Sequence, residues 1–365
     1  MSAEAKTWLE RIRALPLPGR FRIMNVCGGH ERSITSAGLR GVLPEAIELI
    51  PGPGCPVCVC PEEDIYAAIR HALDDDVILA AYGDMLRVPV NVPKGEVRSL
   101  EQARTEGADV RPVASPRDVA TLARDNPDRT VVFLAAGFET TTAPAAALLL
   151  EGAPDNLLLI LAGRLTWPAV AMLLDSEEPG FDALIAPGHV SAVMGPEEWQ
   201  FVVDEHGLPA AVAGFAPESL LAAFYSVLRQ HLEYRRFLDN CYGKVVQPGG
   251  NPAARRMLET AFEVGDANWR GVGAIPDSGY HLRPDYRRFD VREHLPDHAA
   301  DKRRRAGEMP PGCDCARVVL GKVYPTECKL YGTACTPREP VGPCMVSDEG
   351  ACRIWWSAGT RRASA

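Results

Sequence analysis

The sequence lacks a long apolar run, which limits the setting in which the chain works. A membrane-spanning helix needs about 18 or more consecutive apolar residues, and no stretch approaches that length. The N-terminal segment MSAEAKTWLERIRALPLPGR is polar and amphipathic, without the apolar region of a signal peptide. We therefore predict a cytoplasmic protein that has no membrane partner.

The sequence also lacks an excess of positive charge. Its 365 residues include 39 Lys and Arg against 48 Asp and Glu, a formal net charge of −9. A nucleic-acid-binding protein needs a basic surface, so we expect no nucleic-acid partner. No Walker A motif occurs, and no G-x-G-x-x-G motif follows a predicted strand, so no motif indicates nucleotide binding.

Cysteine, by contrast, is plentiful, with 11 residues. An odd number cannot all pair in disulfides, and clustered cysteines in a reducing compartment more often bind metal or perform redox chemistry. Two groups stand far apart, with Cys241 alone between them. The groups are Cys27, Cys55, Cys58 and Cys60, and Cys313, Cys315, Cys328, Cys335, Cys344 and Cys352.

Short apolar runs alternate with glycine-rich turns and helical segments over the first two thirds of the chain. Continuous apolar strands without polar alternation are typical of parallel sheets that are covered on both faces. We predict an α/β fold with Rossmann-like parallel sheets. The predicted strands are 21–26, 46–50, 77–82, 130–136, 156–162, 183–187 and 210–214, and the predicted helices are 1–15, 62–73, 217–228 and one that starts at Pro144.

The composition divides the chain into three parts. Residues 1–120 are predicted to form an N-terminal helix and a first α/β domain, and residues 121–240 a second. From about Tyr242 the strand–helix rhythm fades, so residues 241–365 are predicted to form a separate cysteine-rich domain. The basic run at residues 302–305 is interpreted as a solvated loop.

Several chemically active residues follow directly after predicted strands. In parallel sheets ligands bind beyond the carboxyl ends of the strands, so these turns are expected to share a cleft. Cys27 and His30 flank two glycines and could form a nucleophilic pair or two metal ligands, while His30 alone could be structural. Glu139 could cap a helix or accept a proton, and His189 has the same two interpretations.

Cys55 and Cys58 form a C-x-x-C motif between a strand and a helix. Such a pair can close a small disulfide or bind a soft metal through both sulfurs, and a helix N-terminus lowers the pKa of a thiol. Cys60 could be a third ligand, although packing is the favoured interpretation.

In the tail, Cys313, Cys328, Cys335 and Cys352 are separated by 14, 6 and 16 residues. Zinc ribbons use paired C-x-x-C knuckles, which this tail lacks, whereas four widely spaced thiolates suit a [4Fe–4S] cluster. Zinc and buried free cysteines remain alternatives. Since the tail has six cysteines, spacing alone leaves open which four are ligands, and in particular whether Cys313 or Cys315 takes part.

Taken in order, the motifs along almost the whole chain resemble the HypD family of [NiFe]-hydrogenase maturation proteins. The tail spacing is also similar to that family's cluster pattern. The matching segments are CGGH at 27–30, GPGCPVC at 52–58, YGDMLRVP at 82–89, GFETT at 137–141, GHVSAVMG at 188–195, AGFAPESLL at 213–221, QPGGNPAAR at 247–255, IPDSGYHLR at 275–283 and CKLYGTACTPREPVGPCMVSDEGAC at 328–352.

The resemblance implies a specific function. HypD proteins help to assemble the Fe(CN)2CO unit of [NiFe] hydrogenases, holding iron together with a HypC-type chaperone and receiving cyanide from a HypE-type donor. The implied fold is two α/β domains around a cleft plus a third domain with a [4Fe–4S] cluster. By motif, Cys27, Cys55 and Cys58 become the essential cleft cysteines. The implied cluster ligands are Cys313, Cys328, Cys335 and Cys352.

One position departs from the family pattern. In the family, the residue after CGG is often followed by Thr-His. In this chain His30 takes that place and is followed by Glu31-Arg32. A histidine proposed near the iron is therefore absent, and either it is dispensable or the charged pair alters the pocket. Two other functions stay open on the residues alone: an iron–sulfur-dependent thiol/disulfide oxidoreductase, and a zinc-stabilised binding module.

Overall fold

The computed structural model describes residues 2–296, 298 and 309–361, so the basic run at 302–305 lies outside the described residues. Its strands are β1 (Phe21–Asn25), β2 (Ile47–Pro51), β3 (Val77–Tyr82), β4 (Val110–Val113), β5 (Thr130–Gly137), β6 (Leu157–Gly163), β7 (Ala183–Pro187), β8 (Ala210–Ala213), β9 (Leu238–Asn240), β10 (Phe262–Trp269) and β11 (Gly273–Leu282).

The helices lie mostly between these strands. They are α1 (Ala3–Arg13), α2 (Gly28–Ser36), α3 (Leu39–Val42), α4 (Pro56–Val59), α5 (Glu62–Ala72), α6 (Leu100–Thr105), α7 (Pro116–Asp125), α8 (Glu139–Leu150), α9 (Thr166–Leu174), α10 (Gly188–Met194), α11 (Phe201–Asp204), α12 (Pro217–Leu232), α13 (Pro252–Ala261), α14 (Cys315–Val319) and α15 (Ala351–Ser357).

Two parallel sheets form the framework, which confirms the predicted α/β fold. The first has the order β2-β1-β7-β8-β9 and the second β4-β3-β5-β6, while β10 and β11 pair as an antiparallel hairpin. In the first sheet Asn25 is level with both Pro51 and Ile185. The carboxyl ends of β1, β2 and β7 therefore meet at one edge, as expected for parallel strands.

The sheets interleave along the chain, so a division at residue 120 separates strands that share a sheet. The chain completes β1 and β2, leaves to form the whole second sheet, and returns to the first sheet at β7. Strand signals read along a sequence report each strand but not its neighbours, because pairing is decided by long-range packing.

Each of the seven predicted strands lies within a residue or so of its predicted position, whereas β4, β9, β10 and β11 were not predicted and one helix begins earlier than predicted. The helix expected from Pro144 starts at Glu139. Phe138 is its N-cap, with an extended backbone whose carbonyl accepts the Thr142 N–H at 2.9 Å. Proline is a strong but imperfect boundary signal: Pro144 is the sixth residue of α8, where its missing N–H removes the helical hydrogen bond to the Thr140 carbonyl.

Both sheets are covered on both faces, which explains the absence of polar alternation in their strands. In the first sheet α1, α2 and α12 pack on one side and α9 and the α10–α11 segment on the other. In the second, α7, α8 and α13 cover one side. The opposite side packs against α5, α6, the C-x-x-C segment and the cysteine-rich tail.

Residues after β9 do not form one separate unit. Helix α13 packs on α8, and the β10–β11 hairpin packs on β6, so both belong to the second sheet's surroundings. The segment from Met309 onward then contacts α2 and α4, at the edge where the strands of the first sheet end. Among the described residues, no helix is long and apolar enough to cross a bilayer.

Gly54 gives the first prediction, because it lies where the backbone after β2 touches the backbone after β1. A Cβ at Gly54 would stand 2.4 Å from the Cys27 Cα. We expect Gly54→Ala to lower the free energy of unfolding by about 1–3 kcal/mol through overpacking. Gly41→Ala is the matched control, since nothing lies within 4 Å of its Cβ position. Urea unfolding of both variants measures this, and equal stabilities would contradict the close approach.

Candidate functional site

A small cavity at the carboxyl edge of the first sheet brings the two cysteine groups together. Cys27 follows β1 and lines it with Cys55 and Cys58, which follow β2. From the tail, Cys344 and Glu349 line the same cavity. The three predicted cleft cysteines therefore meet, as their positions after parallel strands suggested.

Cys27 is the N-cap of α2, with an extended backbone. Burial raises the pKa of its thiol to about 12, although the N–H groups of His30 and Gly29 bond to the sulfur and act the other way. The free thiol is thus neutral at physiological pH and a weak nucleophile. Metal binding also requires the thiolate, so the raised pKa does not separate the metal-ligand interpretation from the nucleophilic Cys–His pair, and both stay predictions.

His30 is fully buried beside Cys27 and is held by the first sheet. Its Nε2–H donates to the carbonyl of Ala213 at 3.0 Å, where β8 ends. Burial lowers the pKa of the imidazole to about 4, so His30 is neutral. Its Nδ1 has no hydrogen-bond partner within the described residues.

His189 joins this group through an aromatic contact. The ring of Phe215 lies between the two histidines, with centroids 5.0 Å from His30 and 4.0 Å from His189. His189 itself is exposed, and desolvation lowers its pKa. A Cβ on Gly29 would stand 2.7 Å from the Phe215 ring and 3.5 Å from the Cys27 sulfur, so the glycine allows the close packing of this group.

Cys55 and Cys58 are joined in a disulfide, with their Cα atoms 5.3 Å apart. The Cys58 N–H donates to the Cys55 sulfur at 3.2 Å, so Cys55 caps the N-terminus of the short helix α4. This helix packs against α14 and against the tail turn Pro343–Met345. A disulfide does not titrate, so the predicted low pKa applies only to the reduced pair and stays a prediction.

Glu349 is a site residue that sequence reasoning missed. Its backbone packs on α2, because a Cβ on Gly28 would stand 2.5 Å from the Glu349 carbonyl oxygen. Desolvation and then the charge of Asp84 raise the pKa of its carboxyl to about 7, and Glu349 in turn raises the pKa of Cys27. The segment EGAC was visible in the tail, but nothing in the sequence places it against Cys27.

Glu139 lies apart from the residues that line this cavity. It is fully buried at the start of α8 and accepts hydrogen bonds from the N–H of Thr166 at 2.7 Å and from its hydroxyl at 2.8 Å. Burial raises the pKa of Glu139 to about 7. The pKa of Glu198 is also raised, by burial and by the charge of Glu139. A proton-accepting role for Glu139 stays a prediction, at a position bonded to α9.

Several tail cysteines lie close together near Gly342, and the Cys328 thiol donates to the Gly312 carbonyl. A Cβ on Gly342 would lie 2.5 Å from the Cys313 sulfur and 2.6 Å from the Cys315 sulfur. The Cys335 sulfur accepts the Val341 N–H at 3.4 Å. Hydrogen bonds from the thiols of Cys315 and Cys352 lower the pKa of Cys344, which also accepts the Cys352 N–H at 3.3 Å.

This donor set fits a thiolate-bound iron–sulfur cluster by its chemistry. Five of the six tail cysteines are buried, and Cys313 is partly buried. Gly342 has no side chain, so the sulfurs of Cys313 and Cys315 can approach its backbone closely. Within residues 2–296, 298 and 309–361, however, no three His, Cys, Asp or Glu side chains stand in a preformed metal-binding arrangement. The choice of Cys313, Cys328, Cys335 and Cys352 therefore stays a prediction.

Comparison with known proteins places the chain in a family. The HypD family, described as the hydrogenase formation hypA family, matches residues 3–359. The chain belongs to the HypD family. The hydrogenase maturation factor HypD of Escherichia coli is 40% identical over 92% of this chain and 88% of its own length. The hydrogenase maturation factor HypD of Azotobacter vinelandii is 40% identical over 99% of this chain and 95% of its own length. HypD2 of Bradyrhizobium diazoefficiens is 39% identical over 94% of this chain and 90% of its own length. The resemblance read from the motifs is thus confirmed, and with it a role in hydrogenase maturation.

Glu349 yields a prediction about the thiol of Cys27 in this HypD member. Because its charge raises the pKa of Cys27, Glu349→Gln should speed alkylation of Cys27 by iodoacetamide a few-fold at pH 8. The effect should fade near pH 6, where Glu349 is protonated, and shrink in high salt. Glu339→Gln, on the exposed tail surface, is the control. Equal alkylation rates of parent and variant at pH 8, in iron-free protein, would exclude an electrostatic effect of Glu349 on Cys27.

Glu139 yields a prediction about the pH dependence of stability. The pKa of Glu139 is about 7 in the folded protein and 4.5 in the unfolded chain. Its stabilising contribution to the free energy of unfolding is therefore present at low pH and is lost as the pH rises to 7. Glu139→Gln keeps the neutral form at every pH. We expect the variant to be roughly 1–3 kcal/mol more stable than the parent at pH 8, with no difference at pH 4. Urea unfolding across this range tests it, with Glu151→Gln as control; parallel curves would refute it.

Proposed function

We propose that this HypD member is an assembly scaffold for the Fe(CN)2CO unit of [NiFe] hydrogenases. One observation carries the proposal: Cys27 and the Cys55–Cys58 pair, from two strand ends of the first sheet, meet the tail thiol Cys344 around one cavity. Cysteines so far apart along the chain converge only through the fold. Their convergence gives one cavity at which thiolates could bind iron and the cysteine pair could exchange electrons.

The chemistry of the cleft suits the iron fragment as cargo. Low-spin iron with cyanide and carbonyl ligands is soft, and thiolates are soft donors. Cys27 provides a protonated thiol that becomes a ligand when iron displaces the proton, and Glu349 is the nearby carboxylate able to take that proton. We propose that a HypC-type chaperone holds the iron from the opposite side and that a HypE-type partner donates cyanide, in the cytoplasm.

The C-x-x-C pair provides two electrons. Oxidation of the dithiol to the Cys55–Cys58 disulfide releases two electrons and two protons, and reduction takes them up. A [4Fe–4S] cluster, when bound, supplies one-electron transfer. Cys313, Cys328, Cys335 and Cys352 would hold it. The packing of α4 against the tail turn Pro343–Met345 supports this, because it leaves no intervening domain between the pair and the tail thiols.

A second candidate function is thiol/disulfide oxidoreductase activity on a protein substrate, which the Cys55–Cys58 disulfide specifically favours. In that case a Cys58→Ser variant should trap a mixed disulfide between Cys55 and a substrate protein. Loss of hydrogenase maturation without any trapped partner would instead favour the scaffold.

The scaffold proposal is tested by infrared spectroscopy of protein purified anaerobically with its HypC-type chaperone. We expect absorption in the regions of metal-bound cyanide and carbonyl, and loss of these bands in Cys27→Ala because a required iron ligand is gone. Cys241→Ser is the matched control, since Cys241 lines a separate groove beside α1 and α12. Absence of the bands from the parent under strict anaerobiosis would overturn the proposal.

A further inference from the structure

Glu31 is a buried carboxylate at the cavity that the cleft cysteines line. Glu31 lies in the first turn of α2, four residues after Cys27, and is only 2% exposed. Its side chain lines the same cavity as Cys27, Cys55, Cys58 and Cys344. A buried carboxylate is costly unless several donors bond to it, so its partners reveal what it holds.

Four donors surround the Glu31 carboxylate. Oε2 accepts from the Arg40 guanidinium at 2.8 Å and from the Asn25 amide at 3.2 Å. Oε1 accepts from the Thr35 hydroxyl at 3.3 Å and from the Trp355 indole N–H at 2.6 Å. Asn25 belongs to β1, Thr35 to α2 and Arg40 to α3. Only the fourth donor, Trp355, comes from the tail.

Trp355 is held in place from more than one direction. The guanidinium of Arg40 lies over its ring at 5.0 Å, and the ring of Tyr324 stacks on it with centroids 5.4 Å apart. The Tyr324 hydroxyl in turn bonds to Glu48 of β2. The indole is therefore a fixed point where the tail is attached to the first sheet.

The helix that carries Trp355 also carries a tail cysteine. Cys352 lies one turn before Trp355 on α15, and its N–H donates to the Cys344 sulfur at 3.3 Å. Fixing Trp355 thus fixes the orientation of α15 and, through it, the position of Cys344 relative to the Cys55–Cys58 pair. A shorter polar side chain at residue 31, such as threonine, would not reach both Arg40 and the Trp355 indole.

We infer that Glu31 is a positioning residue that clamps α15 to the first sheet and so holds the tail thiols against the cleft cysteines. It acts through Trp355 and touches no reacting atom. The purpose of the clamp rests on the proposed function, because it sets the approach of two thiol groups that exchange electrons or ligands. The clamp itself is a property of the polypeptide and is measurable without iron.

The test is the rate at which Cys344 reacts with iodoacetamide in the full-length chain, read residue by residue by mass spectrometry. Cys344 is 1% exposed and is not among the predicted cluster ligands. Glu31→Thr and Trp355→Phe should each raise its rate about tenfold, since each removes the hydrogen bond between carboxylate and indole. The double variant should react no faster than the faster single variant, because both changes remove the same hydrogen bond between Glu31 and Trp355.

Matched controls separate the clamp from general destabilisation. Thr35→Val removes the hydroxyl's bond to the same Oε1 atom and the bond it accepts from Arg40, but keeps the bond between Glu31 and Trp355, so the Cys344 rate should stay within about twofold of the parent. Glu31→Gln keeps an oxygen that accepts from Trp355 and should restore part of the protection. Cys60 is fully buried and lies near Arg164 and Arg270, so its rate should not change in any variant.

Three outcomes overturn the inference: unchanged Cys344 rates in Trp355→Phe, a parallel rise at Cys60, or a Thr35→Val effect as large as that of Trp355→Phe. If Glu31→Thr does not fold, Trp355→Phe still decides. The infrared experiment on the scaffold is independent. If the infrared bands are absent but the Glu31 and Trp355 variants still expose Cys344 selectively, the proposed function is refuted and the clamp is supported.

Discussion

The whole site depends on one constraint, the parallel pairing of β1, β2 and β7. Parallel strands end at the same edge, so the turns that follow them must meet. The turn after β1 carries Cys27 and the turn after β2 carries Cys55, and glycines at Gly54 and Gly28 remove the side chains that would keep these backbones and the tail apart. An antiparallel partner would send one of the turns to the opposite edge and separate the thiols.

Burial then sets the protonation states that this geometry can use. It raises the pKa of Cys27 and lowers that of His30, so the inner part of the cleft holds neutral groups. Glu31 is the exception: burial favours its neutral form, but Arg40, Trp355 and Asn25 stabilise the charge and lower its pKa overall. The buried Cys27 thiol must therefore lose its proton before it can bind a metal ion or act as a nucleophile.

Much of this was accessible from the sequence. Strands such as β3 and β7 were located to the residue, because a short apolar run between turn signals is a local pattern. The meeting of Cys27 and Cys55 was predicted from their place after strands, and the family from the order of its motifs. The interleaving of the two sheets was not accessible, because strand pairing depends on contacts between residues distant in the chain. The start of α8 at Glu139 was missed because proline is a strong boundary signal, and here Pro144 lies inside the helix.

The sequence by itself determined the α/β class, the two cysteine groups and the family, because each is written in local patterns and their order. Only the tertiary structure decided that the tail lies against the strand ends, with Glu349 beside Cys27 and Trp355 on Glu31. Such contacts join residues more than 300 positions apart. No local signal encodes them, because the free energy that forms them comes from packing the whole tail against both sheets.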